Sequence, residues 1–311
     1  MNKIDFSDIN VLVIGDFMLD KYSYGKSNRM SPEFPVPVVL QNKITYFPGG
    51  AGNVVQNLLR LNANVSCMGI IGNDFEGNIL LKILNEKGAN IKNLKFYPDS
   101  ITTLKHRIIS DGQQLLRIDS EKENKSINKK VFSNFLEKEI DKFDIIILSD
   151  YNKGVIEKPY FNYKNHNVII DPKKSDFCFY KDANIITPNI YELQETTKIQ
   201  LKSKKLIIDY CKKIIKNYNI NHVVVKRGSK GMIVVSKDGN ISEIAGHFVE
   251  YPDVTGAGDT VIAVLSLAMY QTKDIKLSAK IANLAASIVV KKTATSTISP
   301  DEINSKLEKI I

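Results

Sequence analysis

Asn10-Val11-Leu12-Val13-Ile14-Gly15-Asp16 begins with an unbroken apolar, β-branched run and ends on a glycine and an aspartate. A run without alternation reads as a strand buried on both faces, the kind found in parallel sheets covered by helices. Similar runs recur at Val65 to Ile71, Asp144 to Leu148, Asn167 to Asp171, Asn184 to Ile186 and His222 to Val225. Helical spacing fills the intervals at Ala51 to Leu61, Glu76 to Lys87, Asn128 to Ile140, Tyr191 to Thr197 and Ser203 to Tyr218. This alternation predicts an α/β fold with a mostly parallel sheet. Ligand groups are then expected at the carboxyl ends of the strands.

Two segments interrupt the rhythm. Pro35 to Leu40 and Lys43 to Phe47 read as short edge strands, since proline is confined to edges and strand starts. Thr102 to Ile109 and Gln113 to Ile118 flank Ser110-Asp111-Gly112 and read as a hairpin. Residues of about 16–47 and 102–119 are therefore expected to form a small β-layer projecting from the main sheet. A further hairpin is expected at Gly231 to Val235 and Asn240 to Ala245, followed by helices over Ala257 to Tyr270 and Leu277 to Val290. No repeat or linker divides the chain, so residues 1–311 are read as one domain.

The 311 residues are 43% hydrophobic and 25% charged, which excludes disorder as the main organisation. The longest uncharged stretch of the C-terminal half, Thr260 to Thr272, is shorter than the ~20 residues needed to cross a bilayer. The first residues, Met1 to Asp5, lack the apolar core of a signal peptide, and a cytoplasmic location is expected. Cys67, Cys178 and Cys211 are odd in number and far apart, which speaks against a disulfide framework or zinc site and for reduced thiols in or near the core. The net charge of +9 suits nucleic acid, an anionic membrane or small anions. The lysines are dispersed and no nucleic-acid-binding signature is present, so no nucleic-acid or membrane partner is expected.

Asp253-Val254-Thr255-Gly256-Ala257-Gly258-Asp259-Thr260 carries the strongest chemical signal. Its glycines lead directly into an apolar helix. Backbone N–H groups of Gly256, Ala257 and Gly258, and the positive end of the helix, can converge on a phosphoryl group gaining charge. Asp259 in the first turn can take a proton from an attacking hydroxyl, although on its own it is equally a dipole-stabilising residue. Pro48-Gly49-Gly50-Ala51-Gly52-Asn53 opens another helix, where Asn53 can meet sugar hydroxyls, or the stretch is only a tight helix entry. Asn189 and Glu192 fit a capping box, and Glu192 can also orient a magnesium-bound water. Gly25-Lys26-Ser27 ends like a P-loop, but Asp20 stands where the leading glycine belongs.

The two glycine regions, with Asn189 and Glu192 between them in the same order, resemble the signatures of the ribokinase-like, PfkB-type carbohydrate kinases. The resemblance covers nearly the whole chain. Within that family, Gly15 to Tyr22, Ser31 to Val38, Gln113 to Asp119, Leu148 to Gly154, Asp171-Pro172-Lys173 and Thr295 to Pro300 are similar to the kinase domains of bacterial bifunctional heptose kinase/adenylyltransferases. The resemblance implies a three-layer α/β/α fold with a β-lid, ATP and Mg²⁺ as cofactors, a monovalent cation such as K⁺ as an option, and a homodimer formed through the lid. It implies Asp259 as general base and Gly256, Ala257 and Gly258 as the anion hole. Asn189, Glu192, Lys226, Gly228, Gly231 and Asn283 would face the nucleotide, with Lys226 standing where the family often has threonine. Asp16, Asp20, Gly49, Gly50, Asn53 and Asp171 would face the sugar.

The implied reaction is ATP-dependent phosphorylation of a heptose 7-phosphate at its C1 hydroxyl, a step towards ADP-heptose and lipopolysaccharide core. The substrate's own phosphate gives Lys105, Arg107, Arg117, Lys153 and Lys173, all in or beside these motifs, a use beyond a solvated surface. A kinase for fructose phosphates or nucleosides, or a non-catalytic sugar or nucleotide sensor on the same fold, stays open on the residues alone. No His-x-Gly-His motif is present, so no adenylyltransferase domain is expected.

Overall fold

The computed structural model describes residues 4–97, 100–122, 130–156, 161–292 and 296–307. The start of the helix expected from Asn128, the first three residues and Thr295 of the last motif lie outside the described residues.

The opening run is strand β1 (Asn10–Gly15), and it lies inside a nine-stranded sheet. On one side it pairs in parallel with β4 (Asn64–Ile71), which pairs with β5 (Asn90–Phe96). On the other side follow β8 (Ile145–Ser149), β9 (Val168–Asp171), β10 (Ile185–Ile186) and β11 (His222–Lys226), all parallel. The antiparallel hairpin of β12 (Met232–Ser236) and β13 (Ile241–Ile244) ends that side. Chain order reverses at β1, so a crevice opens past its carboxyl end and that of β8.

The alternation along β1 separates two cores. Val11 and Val13 pack with α1 (Ala51–Arg60), α2 (Phe75–Glu86), α6 (Ala257–Thr272), α7 (Ile275–Val289) and α8 (Pro300–Leu307). Leu12 and Ile14 pack on the opposite face with α3 (Lys130–Glu139), α4 (Ile190–Thr197) and α5 (Lys204–Tyr218). Helices cover both faces, as the uninterrupted apolar strands require.

The projecting layer is a four-stranded sheet ordered β3-β2-β6-β7. Its strands are β2 (Phe17–Met30), β3 (Pro37–Gly50), β6 (Thr103–Ser110) and β7 (Gln113–Ser120). The β6–β7 hairpin falls where expected. The two short strands expected at Pro35 to Leu40 and Lys43 to Phe47 are instead one 14-residue strand. Its partner β2 supplies a ladder along the whole length, and register shifts at Tyr24/Gly25 and Lys26/Arg29 absorb the irregular stretch. Strand β2 itself escapes a hydrophobicity reading because Asp20 to Arg29 is largely polar. The thiols of Cys67 and Cys211 are buried, but Cys178 is exposed, because it lies on a short turn at the surface.

Candidate active site

The crevice at the reversal point collects the sequence motifs. Gly256 caps the start of helix α6, and its left-handed backbone (φ 73°) turns the glycine loop into the helix. That geometry favours glycine, because a Cβ is strained there. Asp259 in the first turn is buried. Its Oδ2 accepts from Asn53 Nδ2 at 2.8 Å, and its Oδ1 accepts from the Tyr151 hydroxyl at 2.7 Å. The crossing of α1 and α6 sets this pairing. Asn57 Nδ2 donates to the Asn53 carbonyl at 2.9 Å, and the Thr260 hydroxyl donates to Asn57 Oδ1 at 3.2 Å. Burial pushes the Asp259 carboxyl up to about 7, against the opposing pull of the hydrogen bonds from Asn53 and Tyr151. The Oδ1 of Asn53 is buried without a hydrogen-bond partner.

Gly50 precedes α1 with φ 55°, and a Cβ there would lie 2.5 Å from the Asp16 carbonyl oxygen. Only glycine lets the two chains approach so closely. A Cβ on Gly49 would meet the Asp20 carboxylate at 2.6 Å. The buried Asp16 carboxylate accepts backbone N–H bonds from Tyr151 (2.8 Å), Lys153 (3.1 Å) and Val155 (3.2 Å). It thereby fixes the loop that carries Tyr151. Burial and nearby Asp150 push the Asp16 carboxyl up to about 6.

Asp171 at the end of β9, expected to face the sugar, is taken up within the chain, accepting from Lys226 Nζ at 2.5 Å and from the Thr187 hydroxyl at 2.9 Å. Burial disfavours the Lys226 charge, but Asp171 and Glu192 outweigh it and hold the ammonium above its usual range. A Cβ built on Gly258 would lie 3.4 Å from Lys226 Nζ, so this cation stands beside the mouth of the glycine loop. Asn189 and Glu192 form the expected capping box on α4. Glu192 also meets Lys173 Nζ at 3.4 Å. Burial, with Asp171 second, raises the Glu192 pKa. Beyond Gly228 lies open space, whereas a Cβ on Gly231 would overlap the Ile244 carbonyl. Asn283, distant in sequence, donates to the Ala245 carbonyl at 2.8 Å.

Among the described residues no group of three His, Cys, Asp or Glu is placed to hold a metal. The nearby Asp171 and Glu192, already shared with lysines, fit a magnesium ion that keeps its waters and is carried by nucleotide phosphates.

The second sheet contributes one polar face. Strand register places Asp20 beside Lys105 and Lys105 beside Asp119, with Tyr22, Arg107 and Arg117 in the next such row. Arg107 Nη1 bonds Asp20 Oδ1 at 2.5 Å, and its guanidinium lies 5.0 Å from the Tyr22 ring centroid. Arg117 pairs with Asp119 and Lys153 with Glu121. Just past the end of β7 lies a cavity of about 330 Å³ lined by Glu121, Lys122, Tyr151, Asn152, Lys153 and Lys173, of which Tyr151 reaches Asp259. Tyr151 lies within the Leu148 to Gly154 stretch, where its residue type alone carries no signal. Its role becomes legible once β8 is seen to end at the reversal point.

The class of the protein follows from the family its sequence matches. The profile of the pfkB family carbohydrate kinases matches residues 8–302, and the chain belongs to that family. It is an ATP-dependent carbohydrate kinase. Bifunctional protein HldE of Sulfurimonas denitrificans is 41% identical over 303 residues, 94% of this chain and 63% of that protein. Bifunctional protein HldE of Geobacter sulfurreducens is 36% identical over 304 residues, covering 95% of this chain and 62% of that protein. The chain thus spans somewhat under two thirds of these relatives. Ribokinase of Arabidopsis thaliana, solved with ribose and ATP, superposes with a TM-score of 0.73 at 18% identity, covering 97% of this chain and 99% of that one. Phosphofructokinase-2 of Escherichia coli superposes with a TM-score of 0.74 at 15% identity, with 97% and 99% covered. These two likenesses establish the ribokinase-like fold.

Proposed function

We propose that the chain transfers the γ-phosphoryl of ATP to the C1 hydroxyl of D-glycero-D-manno-heptose 7-phosphate, giving the 1,7-bisphosphate. The observation that carries the kinase chemistry is the Asp259 carboxylate, clamped by Asn53 and Tyr151 beside the start of α6. The choice of heptose phosphate rests on likeness to the HldE proteins and on the cations around the cavity.

In this reading the sugar enters between the second sheet and the main body. Asn53 Oδ1 takes a hydroxyl and turns the C1 oxygen towards Asp259. Asp259 accepts that hydroxyl's proton as the oxygen attacks the γ-phosphorus in line, and ADP leaves. The N–H groups of Gly256 and Gly258, with Lys226, hold the equatorial oxygens as their charge grows, whereas the Ala257 N–H, expected in the same role, is donated to the Val254 carbonyl at 3.2 Å. Magnesium neutralises the nucleotide phosphates when bound. Asn189, Glu192, Gly228, Gly231 and Asn283 border the nucleotide, and Asp16 and Asp171 hold the surrounding loops in place.

The second sheet acts as the lid of a single 1–311 domain. Its exposed Leu40, Ile44, Leu116 and Ile118 support pairing with a second copy. No helix among the described residues is long and apolar enough to cross a membrane, in keeping with a cytoplasmic kinase serving ADP-heptose synthesis.

The test is a panel of heptose 7-phosphate, fructose 6-phosphate, fructose 1-phosphate, ribose and adenosine with Mg·ATP. A clear kcat/KM preference for the heptose phosphate supports the reading. A preference for another member reassigns the substrate.

A further inference from the structure

Tyr151, one of the two donors that clamp Asp259, sits on the loop after β8 in unusual surroundings. Its hydroxyl donates to Asp259 Oδ1 at 2.7 Å. Its backbone N–H is held by Asp16 Oδ2 at 2.8 Å, so the side chain stands on an anchored segment. Its ring lies 5.5 Å from Nζ of Lys105, which belongs to β6 of the second sheet. One residue therefore touches the base with one end and the projecting sheet with its face. Asn53 holds the other oxygen of Asp259 from α1. Each carboxylate oxygen keeps one lone pair free for the substrate proton.

We infer that Tyr151 is a positioning residue for the base: its hydroxyl holds the Asp259 carboxylate ionised and aimed at the acceptor, and its ring links that hold to the second sheet through Lys105. The inference rests on the reading of Asp259 as base. In the step, the C1 hydroxyl proton passes to Asp259 and the new O–P bond forms as the bond to ADP breaks. Tyr151 keeps its own proton throughout. Burial, and then the nearby Asp259 charge, hold the phenol well above its usual range, so it is a permanent donor. The other charged groups facing the pair are Asp171 from β9, Lys226 from β11 and Asp20 from β2. All three stay in place when only the hydroxyl is removed.

Tyr151→Phe deletes the hydroxyl and keeps the ring under Lys105. Losing a donor to the charged form raises a carboxyl pKa. The experiment is a titration of carboxyl ¹³C resonances in the ligand-free protein, with Asp259→Asn identifying the Asp259 signal. The Asp259 midpoint is expected to rise by about one pH unit in Tyr151→Phe. With heptose 7-phosphate and Mg·ATP, the acid limb of kcat/KM moves by the same amount, and activity recovers at high pH.

An unchanged midpoint overturns the inference. If Tyr151→Phe does not fold, 3,5-difluorotyrosine at position 151, a more acidic donor, must lower the midpoint instead, and no change there is equally fatal. Near-normal turnover by Asp259→Asn sinks the reading of the base. Loss of that turnover together with an unmoved Tyr151→Phe midpoint sinks the Tyr151 inference alone.

Discussion

At the scale of single residues, the chemistry turns on one carboxylate. Asp259→Asn keeps the shape, but its amide has one oxygen to accept from Asn53 or Tyr151 where the carboxylate has two, and it cannot take a proton. Its kcat is expected to fall ~10²-fold or more, with ATP affinity little changed in a binding titration. The wild-type pH profile follows from the same group. A base must be deprotonated to act, and burial has raised the Asp259 carboxyl to about 7. kcat/KM should therefore fall as pH drops through about 7, with a slope of one, while a flat profile to pH 5 would remove Asp259 as the titrating group.

The glycines beside it separate into two kinds. Gly256→Ala forces a Cβ into left-handed backbone, so both the helix start and activity suffer. Gly258→Ala meets Lys226 only at ordinary contact distance, so the variant should fold with wild-type Tm and lose turnover because the phosphoryl approach is blocked. Normal turnover by the Gly258 variant would make the loop a helix start and nothing more. Asp259, Asn53 and the glycines were legible in sequence because glycine runs before helices signal close approach. Tyr151 was not, since a tyrosine after a buried strand has no pattern of its own until the strand order is known.

At the scale of elements, the second sheet was only half legible. The β6–β7 turn announces itself through Asp111 and Gly112, both with positive φ. Strand β2 does not, because its polar face carries Asp20 and Tyr22 and its far end is exposed. The same polarity is what makes the sheet useful. Register alone lines up Asp20, Lys105 and Asp119 in one row and Tyr22, Arg107 and Arg117 in the next. Asp20 and Arg107 are nearly enclosed, so removing one partner leaves a buried charge behind. Arg107→Ala should lower stability by about 3 kcal/mol, at the low end for a broken buried pair, and weaken the sugar KM more than the ATP KM. Arg107→Lys should recover stability better than KM, because lysine restores charge without the planar fork. Equal effects on both KM values would place Arg107 in the scaffold only.

At the scale of the whole molecule, the proposed phosphorylated substrate makes a claim on the +9 charge that can be tested. The alternation of apolar strands and helices made the main sheet readable from the outset, and parallel order then placed the crevice at β1 and β8. The pairing of the cations was not readable. Arg107, Arg117, Lys153 and Lys173 each meet a carboxylate, and Lys105 lies over the Tyr151 ring. A phosphate on the sugar must therefore compete with Glu121 for Lys153, and with Glu192 for Lys173. These two pairs are partly exposed, so little is lost when they open. A charge-assisted hydrogen bond contributes ~1.5–3 kcal/mol, and two of them give roughly a hundred-fold preference in kcat/KM for the phosphorylated sugar. Part of that preference should appear in kcat, because a held phosphate aligns the distant C1 hydroxyl with Asp259. Raising the salt should reduce it modestly, since the cavity is partly enclosed. Lys153→Ala and Lys173→Ala, measured against heptose 7-phosphate and unphosphorylated heptose at two salt concentrations, should erode the preference for the former and leave the latter unchanged. Equal kcat/KM values for the two sugars in the wild-type enzyme would instead assign it to neutral sugars or nucleosides.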